Sequence, residues 1–404
     1  MTFACFILSA LDILGVLQER TSLEERKNYV DWIYHCQHPS GGFRGFTGTI
    51  SGDAGTEAGN GWDPANLGGT FFALCALAVL GDGLERVKRR ECLDWVTRLQ
   101  VEDGSFGEVL GQSGEVEGKQ DIRFAYLAAS IRWILRDEHD ERKDIDVEKL
   151  FEFVHSSRTY DGGIAKAPLN EAHAGCTYCG IGTLDMIGKL QSVDPTSLQD
   201  TFHWLVSRQT SHIEEEDEEK DYEVTEDVVL PSQSAYEQLS RRAQLENPHH
   251  ASVPHDILAA GPLARKKADG LKIYGINGRC NKVADTCYSW WVGGTLGILK
   301  AVHLQDLTMN KRYLLEKMQH IIGGFSKLPG DPPDMLHSYL GLAALANLGG
   351  EEEGLEKIDA VLCISMRARR HLETLPWRRK GNQPSPSEEV NDAEGKEYVM
   401  ISGG

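Results

Sequence analysis

The chain has 404 residues, of which 61 are acidic and 42 are basic, so its formal net charge is −19. With 41% hydrophobic and 25% charged residues, it has the composition of a folded globular protein and not of a disordered chain. The negative charge argues against nucleic acid as a partner, because phosphate backbones are bound by positive fields.

The opening segment, residues 2–17, resembles a signal peptide in its apolar character. It lacks a basic start and a small-residue cleavage site, and Asp12 interrupts the apolar stretch. We therefore predict a buried helix, and since the chain starts inside that helix, there is room for residues upstream. No apolar run reaches the roughly 20 residues of a membrane-spanning helix, so we expect no membrane span.

A helical pattern dominates the rest of the chain, with apolar residues every three or four positions and little strand-like alternation. This pattern predicts an all-α protein. The other predicted helices cover residues 23–37, 65–80, 84–99, 121–136, 146–156, 176–190, 195–207, 284–302, 310–321 and 336–348.

Several predicted helices end in a similar glycine-rich turn, at residues 39–43, 102–106, 160–164 and 322–325. The first three turns lie roughly 60 residues apart, which indicates a repeating helical hairpin. Glycine permits a left-handed turn after a helix, and the apolar residue that follows is expected to return to the core. Such hairpins form either an open solenoid or a closed ring, and the sequence alone leaves both possible.

Two regions depart from this pattern. Residues 211–272 begin with the acidic run 214–219 and continue without a clear period, so we predict a long acidic surface insertion. Residues 378–404 are rich in Pro, Ser and Glu, which predicts a disordered tail. The expected domain is therefore 1–377, interrupted by the insertion.

The cysteines are nine in number and irregularly spaced. An odd count without a disulfide-like framework favours reduced thiols and a cytoplasmic location. Cys176 and Cys179 form a C-x-x-C pair, but no second pair accompanies them, so we interpret both as core residues.

A possible metal site lies in two separate segments. Asp285 and Cys287 are two residues apart, and His337 follows about fifty residues later. Asp, Cys and His together are a plausible zinc set, and three protein ligands leave one coordination position open, as in catalytic sites. Taken alone, Cys287 is better explained as a small core residue, which is what an isolated cysteine on a helix usually is.

Basic residues occur close to these candidate ligands in the sequence. Arg279 and Lys282 precede Asp285, while His173 and Arg123 lie in two earlier segments. Arg and Lys beside a metal, in an otherwise acidic chain, suggest a polyphosphate site. The alternative is that they are ordinary solvated charges.

Four motifs change the balance between these alternatives: DIRFAY at 121–126, EAHAGCTYCG at 171–180, GRCNKVADTCYSWW at 278–291 and DMLHSYLGL at 334–342. With them the chain resembles the β subunits of protein prenyltransferases, in particular those of the type I geranylgeranyl enzymes. The resemblance runs from Thr2 to about residue 350, apart from the insertion. It implies an α/α barrel (α/α toroid) of six helical hairpins and an obligate α subunit.

The resemblance also implies roles for individual residues. It makes Asp285, Cys287 and His337 the ligands of one Zn²⁺ per chain. The isoprenoid diphosphate would be held by His173, Arg279, Lys282 and Tyr288. The neighbouring cavity would be lined by Arg123. The implied reaction transfers a geranylgeranyl group from geranylgeranyl diphosphate to the thiolate of a C-terminal Cys-a-a-X protein, with X = Leu or Phe, such as a Rho/Rac-type small GTPase.

Four further positions resemble the type I enzyme and not the farnesyl enzyme. Thr2 replaces a bulky Trp and leaves room for a longer lipid, while Phe6 and Leu336 match the type I residues that read X. Lys327 stands where the farnesyl enzyme has an Asp that binds Mg²⁺, so Mg²⁺ is not expected to be required.

The main alternative is the β subunit of a farnesyltransferase, since Cys280 resembles that enzyme and replaces the Pro common in type I enzymes. A Rab-type geranylgeranyltransferase is a more remote relative. A terpene cyclase would need clustered aspartates of the D-D-x-x-D or D-x-D-D kind, which the sequence lacks. A non-catalytic helical scaffold would have no need for an open metal site.

Overall fold

A computed structural model describes residues 1–47, 63–118, 120–137, 140–213, 273–350 and 354–378. Residues 214–272 of the predicted insertion and 379–404 of the predicted tail lie outside the described residues. The described part is mainly helical, as predicted.

The helices follow one another at nearly the predicted places. In chain order they are α1 (Thr2–Ile13), α2 (Leu17–Arg20), α3 (Leu23–His35), α4 (Leu67–Leu80), α5 (Arg89–Leu99), α6 (Ile122–Leu135), α7 (Val147–Ser156), α8 (Ala174–Met186), α9 (Pro195–Val206), α10 (Thr286–Ile298), α11 (Leu307–Arg312), α12 (Met335–Asn347) and α13 (Met366–Glu373). A π-helical turn, Tyr313–Met318, continues α11. None of the described helices is both long enough and apolar enough to cross a membrane.

The described part of the chain also has three short 3₁₀ helices, Leu190–Ser192, Val302–Leu304 and Pro376–Arg378, and three antiparallel strand pairs of two residues each. The strand pairs are β1 (Val109–Leu110) with β2 (Val116–Glu117), β3 (Gln209–Thr210) with β4 (Gly275–Ile276), and β5 (Ile358–Asp359) with β6 (Ile364–Ser365). Each pair joins segments that connect helices. The strands therefore hold these connecting segments together and form no separate sheet layer.

Six helices form a closed inner ring. Each of α1, α4, α6, α8, α10 and α12 packs against the next, and α12 packs back against α1. These helices are apolar on nearly all faces and largely buried, as expected for helices with neighbours on every side. In the described part of the chain α3, α5, α7, α9 and α11 pack outside the ring. The structure is therefore a toroid and not an open solenoid.

The inner helices all start at the same end of the ring. In α4, α6, α8 and α10, a backbone N–H at the helix start donates to a carbonyl in the segment before the next inner helix. These hydrogen bonds run from Leu67 to Glu108 (3.2 Å), Ile122 to Lys166 (2.8 Å), Ala174 to Gly278 (3.0 Å) and Thr286 to Lys327 (3.3 Å). The N-terminal end of the ring thus collects residues that are far apart in the sequence.

The glycine-rich turns have the predicted left-handed conformation. Their φ angles are +94° at Gly41, +86° at Gly104, +96° at Gly162 and +93° at Gly323. The apolar residues that follow are buried, namely Phe43, Phe106, Ile164 and Phe325. At Gly162 a side chain would also meet the backbone oxygen of Asp200 at 2.4 Å, because the next outer helix passes against the turn.

The opposite end of the ring is covered by residues 358–365, which we call the closing hairpin. Tyr126 and Tyr178 donate hydrogen bonds to the Val361 carbonyl, at 2.6 and 2.9 Å, and Tyr339 donates to Cys363. The sequence patterns did not predict this hairpin or α13, because short strands and a single short helix carry little periodicity.

Several predicted helices differ from the observed ones at their ends. The helix predicted over 84–99 starts at Arg89, the one over 176–190 spans Ala174–Met186, and the one over 310–321 starts at Leu307. The first predicted helix was expected to run to residue 17, but α1 ends at Ile13 because Gly15 adopts a φ of +69° and turns the chain. The helix expected over 284–302 starts at Thr286, because Asp285 is extended and caps α10.

Candidate metal centre and substrate cavity

The three predicted metal ligands lie together at the N-terminal end of the ring. One ligand atom each from Asp285, Cys287 and His337 falls within 4.8 Å of the others. The Asp285 Oδ1 atom and His337 Nε2 are 3.4 Å apart. Asp285 and His337 are buried and Cys287 is half-buried, so the cluster is largely shielded from solvent.

Helix capping positions these groups. Asp285 precedes α10, and its Oδ1 accepts a hydrogen bond from the Cys287 amide at 2.8 Å. Asp334 precedes α12 and accepts from the His337 amide at 2.9 Å. Because α10 and α12 are neighbours in the ring, their first turns face the same point. Caps at adjacent helix starts therefore bring together ligands that lie about fifty residues apart.

A second carboxylate orients the imidazole of His337. Its Nδ1 lies 2.5 Å from Asp334 Oδ2. A carboxylate only accepts, so Nδ1 carries a proton, and Nε2, which faces Asp285, is the nitrogen that can bind a metal once it is deprotonated. A carboxylate that holds the second nitrogen of a histidine is typical of zinc sites.

The electrostatics of the cluster reflect burial opposed by hydrogen bonding. Burial acts against the charged form of Asp285, but hydrogen bonds from His337 and Cys287 outweigh it and bring its pKa below the ordinary value. Burial likewise acts against the charged form of His337, yet the hydrogen bonds to Asp285 and Asp334 raise its pKa. Burial and the Asp285 charge raise the pKa of the Cys287 thiol.

The donor set fits a zinc ion. A carboxylate oxygen, an imidazole nitrogen and a sulfur are all zinc ligands, and three of them are the number found in catalytic sites. The raised pKa of Cys287 belongs to the metal-free cluster, since binding a cation requires the thiolate and releases the proton.

Beside the cluster, His173 and Tyr288 form a polar pair. His173 caps α8 and its Nδ1 accepts from the Gly175 amide at 3.0 Å, so a neutral ring carries its proton on Nε2. Nε2 lies 3.2 Å from the Tyr288 hydroxyl. Burial, followed by the charges of Arg279 and Arg123, lowers the pKa of His173. The pair thus offers neutral hydrogen-bond donors close to two cations.

The four predicted cations occupy different positions at this end. Arg279 is half-exposed and lies 3.3 Å from Glu171, and Lys282 is exposed on the same loop. Arg123 is held by Asp121, with Nη2 at 2.6 Å from the carboxylate. The Lys327 backbone carbonyl accepts a hydrogen bond from the Thr286 amide at the start of α10. The positive charge of Lys327 acts to lower the pKa of Cys287, against the larger effect of burial.

An aromatic wall lines the inner helices. Neighbouring rings lie between 5.0 and 5.9 Å apart, from Phe6 with Tyr339 to Tyr178 with Trp290. The remaining members are Phe71, Phe72, Tyr126 and Trp291. Thr2 and Phe6 occupy the first two turns of α1, and Leu336 is half-buried in the first turn of α12. A cavity of about 580 Å³ between α1 and α12 is lined in part by Phe6, Tyr339 and Asp334.

The sequence analysis assigned no role to Asp334, Asp121 or Glu171. The spacing of Asp334 and His337 is that of a capping residue and the third residue of a helix, which was a usable signal. No sequence pattern linked Glu171 to Arg279, because their contact joins residues 108 positions apart.

Comparison with known proteins identifies relatives of the whole fold. Residues 1–364 match the family described as the prenyltransferase alpha-alpha toroid domain. The chain is 29% identical to the geranylgeranyl transferase type-1 subunit beta of Arabidopsis thaliana over 91% of this chain and 82% of that protein. It is 26% identical to the Dictyostelium discoideum protein of the same name, over 90% of this chain and 87% of the relative.

A solved structure has the same architecture. Candida albicans protein geranylgeranyltransferase-I complexed with GGPP is 25% identical and superposes with a TM-score of 0.67. The match covers 94% of this chain and 91% of that one.

Proposed function

The chain belongs to the prenyltransferase alpha–alpha toroid family, and we propose that it is the catalytic β subunit of a protein geranylgeranyltransferase type I. It would transfer a geranylgeranyl group from geranylgeranyl diphosphate to the cysteine of C-terminal Cys-a-a-X proteins with X = Leu or Phe. The observation that carries this proposal is the approach of Asp285, Cys287 and His337 to within 4.8 Å at the N-terminal end of a closed toroid.

In this proposal Asp285, Cys287 and His337 hold one Zn²⁺. The ion would supply a Lewis acid that favours the thiolate form of the substrate cysteine at neutral pH. By holding the proton on Nδ1, Asp334 would leave Nε2 of His337 as the nitrogen that binds the ion. The Asp285 side chain caps α10 by accepting from the Cys287 amide, and this cap keeps the carboxylate and the Cys287 sulfur together at one helix start.

The leaving diphosphate would be bound beside the metal ligands. As the carbon–oxygen bond breaks, negative charge grows on the diphosphate, and the His173 and Tyr288 donors stabilise that charge. Arg279, Lys282 and Lys327 add positive charge, and a single such donor typically contributes about 3 kcal/mol. Because Lys327 supplies a cation here, the reaction should not require Mg²⁺.

The aromatic wall would hold the lipid, with about 0.8 kcal/mol per buried methylene group. In this assignment Thr2 leaves space for the last isoprene unit, Phe6 and Leu336 contact the X residue, and Arg123 lines the neighbouring cavity. Thr2→Trp should then shift the preference from geranylgeranyl towards farnesyl diphosphate.

Partners and location follow from the same proposal. An α subunit would complete an obligate heterodimer, and Rho/Rac-type small GTPases are suitable Cys-a-a-X substrates. None of the nine cysteines, all of which lie in the described residues, forms a disulfide, and this supports a reducing, cytoplasmic setting.

Co-expression with an α subunit tests the function. We expect geranylgeranyl transfer to a peptide ending in Leu, without added Mg²⁺, and about one zinc per heterodimer. Cys287→Ala should abolish zinc binding and transfer, whereas the matched control Cys92→Ala, in outer helix α5, should retain both. Preferred farnesyl transfer to a peptide ending in Met, with Mg²⁺ required, would identify a farnesyltransferase instead.

A further inference from the structure

One cysteine differs from all the others in its surroundings. Cys280 is exposed on the loop before α10, between Arg279 and Lys282. Of the remaining eight cysteines, seven are buried and Cys287 is half-buried. Cys280 is thus the thiol that a dissolved molecule reaches most easily, although exposure alone does not make a cysteine a site.

The second observation is a buried arginine at an unusual place in the repeat. Five turns between helices share one hydrogen bond, in which a backbone carbonyl at the end of the outer helix accepts from a backbone N–H in the segment after the turn. The residues that provide this carbonyl are Cys36, Leu99, Ser157, Arg208 and Met318. All five positions are buried. Four hold a small or uncharged residue, whereas the turn next to Cys280 holds a cation.

The guanidinium of Arg208 is directed at Cys280. Arg208 is only 4% exposed, and its Nη2 donates to the Cys280 sulfur at 3.2 Å. The group lies over the Trp204 ring at 4.7 Å, its Nε donates to the Trp204 carbonyl at 3.3 Å, and Nη2 also donates to the Ser207 hydroxyl at 3.1 Å. Nη1 has no hydrogen-bond partner within the described ranges. Among those residues no carboxylate pairs with Arg208. The Cys280 sulfur is therefore the exposed acceptor that this buried cation contacts.

We propose that Cys280 is a reversible modification site, where the sulfur that Arg208 contacts forms a mixed disulfide with an anionic low-molecular-weight disulfide such as oxidised glutathione. The thiolate attacks one sulfur of that disulfide, a new S–S bond forms and the old one breaks. The departing glutathione thiolate takes up the proton that Cys280 released. The disulfide is itself the oxidant, and excess thiol reverses the step.

The flanking cations favour an acidic partner. Arg279 and Lys282 stand on either side of Cys280, and glutathione brings carboxylates that pair with them. If the proposed function is correct, the same two cations bind the prenyl diphosphate. The adduct would then weaken diphosphate binding until a thiol removes it, which makes lipid transfer sensitive to the thiol–disulfide balance.

Mass spectrometry of the full chain in complex with its α subunit tests the modification without reference to activity. After incubation with oxidised glutathione we expect one adduct per chain, on Cys280, which dithiothreitol releases. Cys280→Ser should carry none. Arg208→Met should slow adduct formation at least tenfold, whereas Arg208→Lys should retain most of the rate.

A second measurement remains informative if Arg208→Met fails to fold. Wild-type protein should react at least tenfold faster with oxidised glutathione than with the uncharged bis(2-hydroxyethyl) disulfide. Equal rates with the two reagents, an unchanged rate in a folded Arg208→Met variant, or first reaction at another cysteine would each overturn the proposal.

The consequence for the lipid is tested separately by binding of geranylgeranyl diphosphate. We expect at least a tenfold loss of affinity in the adduct, full recovery with dithiothreitol and no loss in glutathione-treated Cys280→Ser. An adduct with unchanged diphosphate affinity would disprove the regulatory step. Absence of transferase activity with a normal adduct would instead contradict the proposed function alone.

Discussion

At the scale of single residues, the hydrogen bond between Asp334 and His337 decides how the imidazole meets a metal. The Asp334 carboxylate accepts from Nδ1 across an Nδ1–Oδ2 distance of 2.5 Å, and the oxygen of a neutral amide would accept less strongly. Asparagine also caps helices well, so Asp334→Asn should leave α12 intact. We expect zinc affinity, measured by chelator competition, to fall about 10–100-fold.

The matched control is Asp306→Asn, because Asp306 caps α11 in the same way, with an oxygen that accepts from Met309 at 3.0 Å. Zinc affinity should be unchanged in this variant. Similar losses in both variants would show that capping, and not imidazole orientation, explains the effect.

The pKa of His173 predicts a pH dependence of stability. Burial and the charges of Arg279 and Arg123 lower it from the ordinary 6.5, so in acid the unfolded chain binds a proton that the folded protein rejects. The stabilising contribution is complete above 6.5 and is lost as the pH falls towards the folded-state pKa. His173→Asn should therefore show a shallower fall in the free energy of unfolding below pH 6.5, measured with urea. Parallel curves for both proteins would contradict this.

At the scale of the elements, the glycine turns are required for two separable reasons. Gly162 has a φ of +96° and its turn meets the Asp200 backbone, whereas Gly188 has a φ of +70° and open space around it. Gly188→Ala should cost about 1–2 kcal/mol for the left-handed conformation alone. Gly162→Ala should cost at least about 2 kcal/mol more, because the α9 backbone must also move. Urea unfolding of both variants measures the difference, and equal losses would show that the close approach does not matter.

At the scale of the whole molecule, the tyrosine hydrogen bonds tie the inner ring to the closing hairpin. Val361 accepts from both Tyr126 and Tyr178, so either single substitution by phenylalanine leaves its carbonyl one partner. The double substitution leaves a buried acceptor unsatisfied, at about 1–3 kcal/mol beyond the sum of the single losses.

The control is Tyr313→Phe, since the buried Tyr313 hydroxyl has no hydrogen-bond partner in the described part of the chain. That variant should be neutral or slightly stabilising in the same urea measurement. Strict additivity of Tyr126→Phe and Tyr178→Phe would argue against a shared acceptor.

The sequence by itself determined the local features of this protein. Apolar residues every three or four positions located the helices, because a helix that buries one face repeats this spacing within a few turns. The glycines at 41, 104 and 162 predicted the left-handed turns, since glycine adopts a positive φ without the steric cost that other residues have. Asp285, Cys287 and His337 were recognisable as zinc-type donors from their side-chain chemistry, and the motifs around them indicated the family.

Only the tertiary structure decided what depends on distant contacts. Closure of the ring requires α12 to pack against α1, and no local pattern encodes that choice between ring and solenoid. The same packing brings His337 to Asp285, the closing hairpin to Tyr126, and Arg208 to Cys280, a contact across 72 positions. These contacts result from packing of the whole chain, whose free energy is not the sum of local preferences.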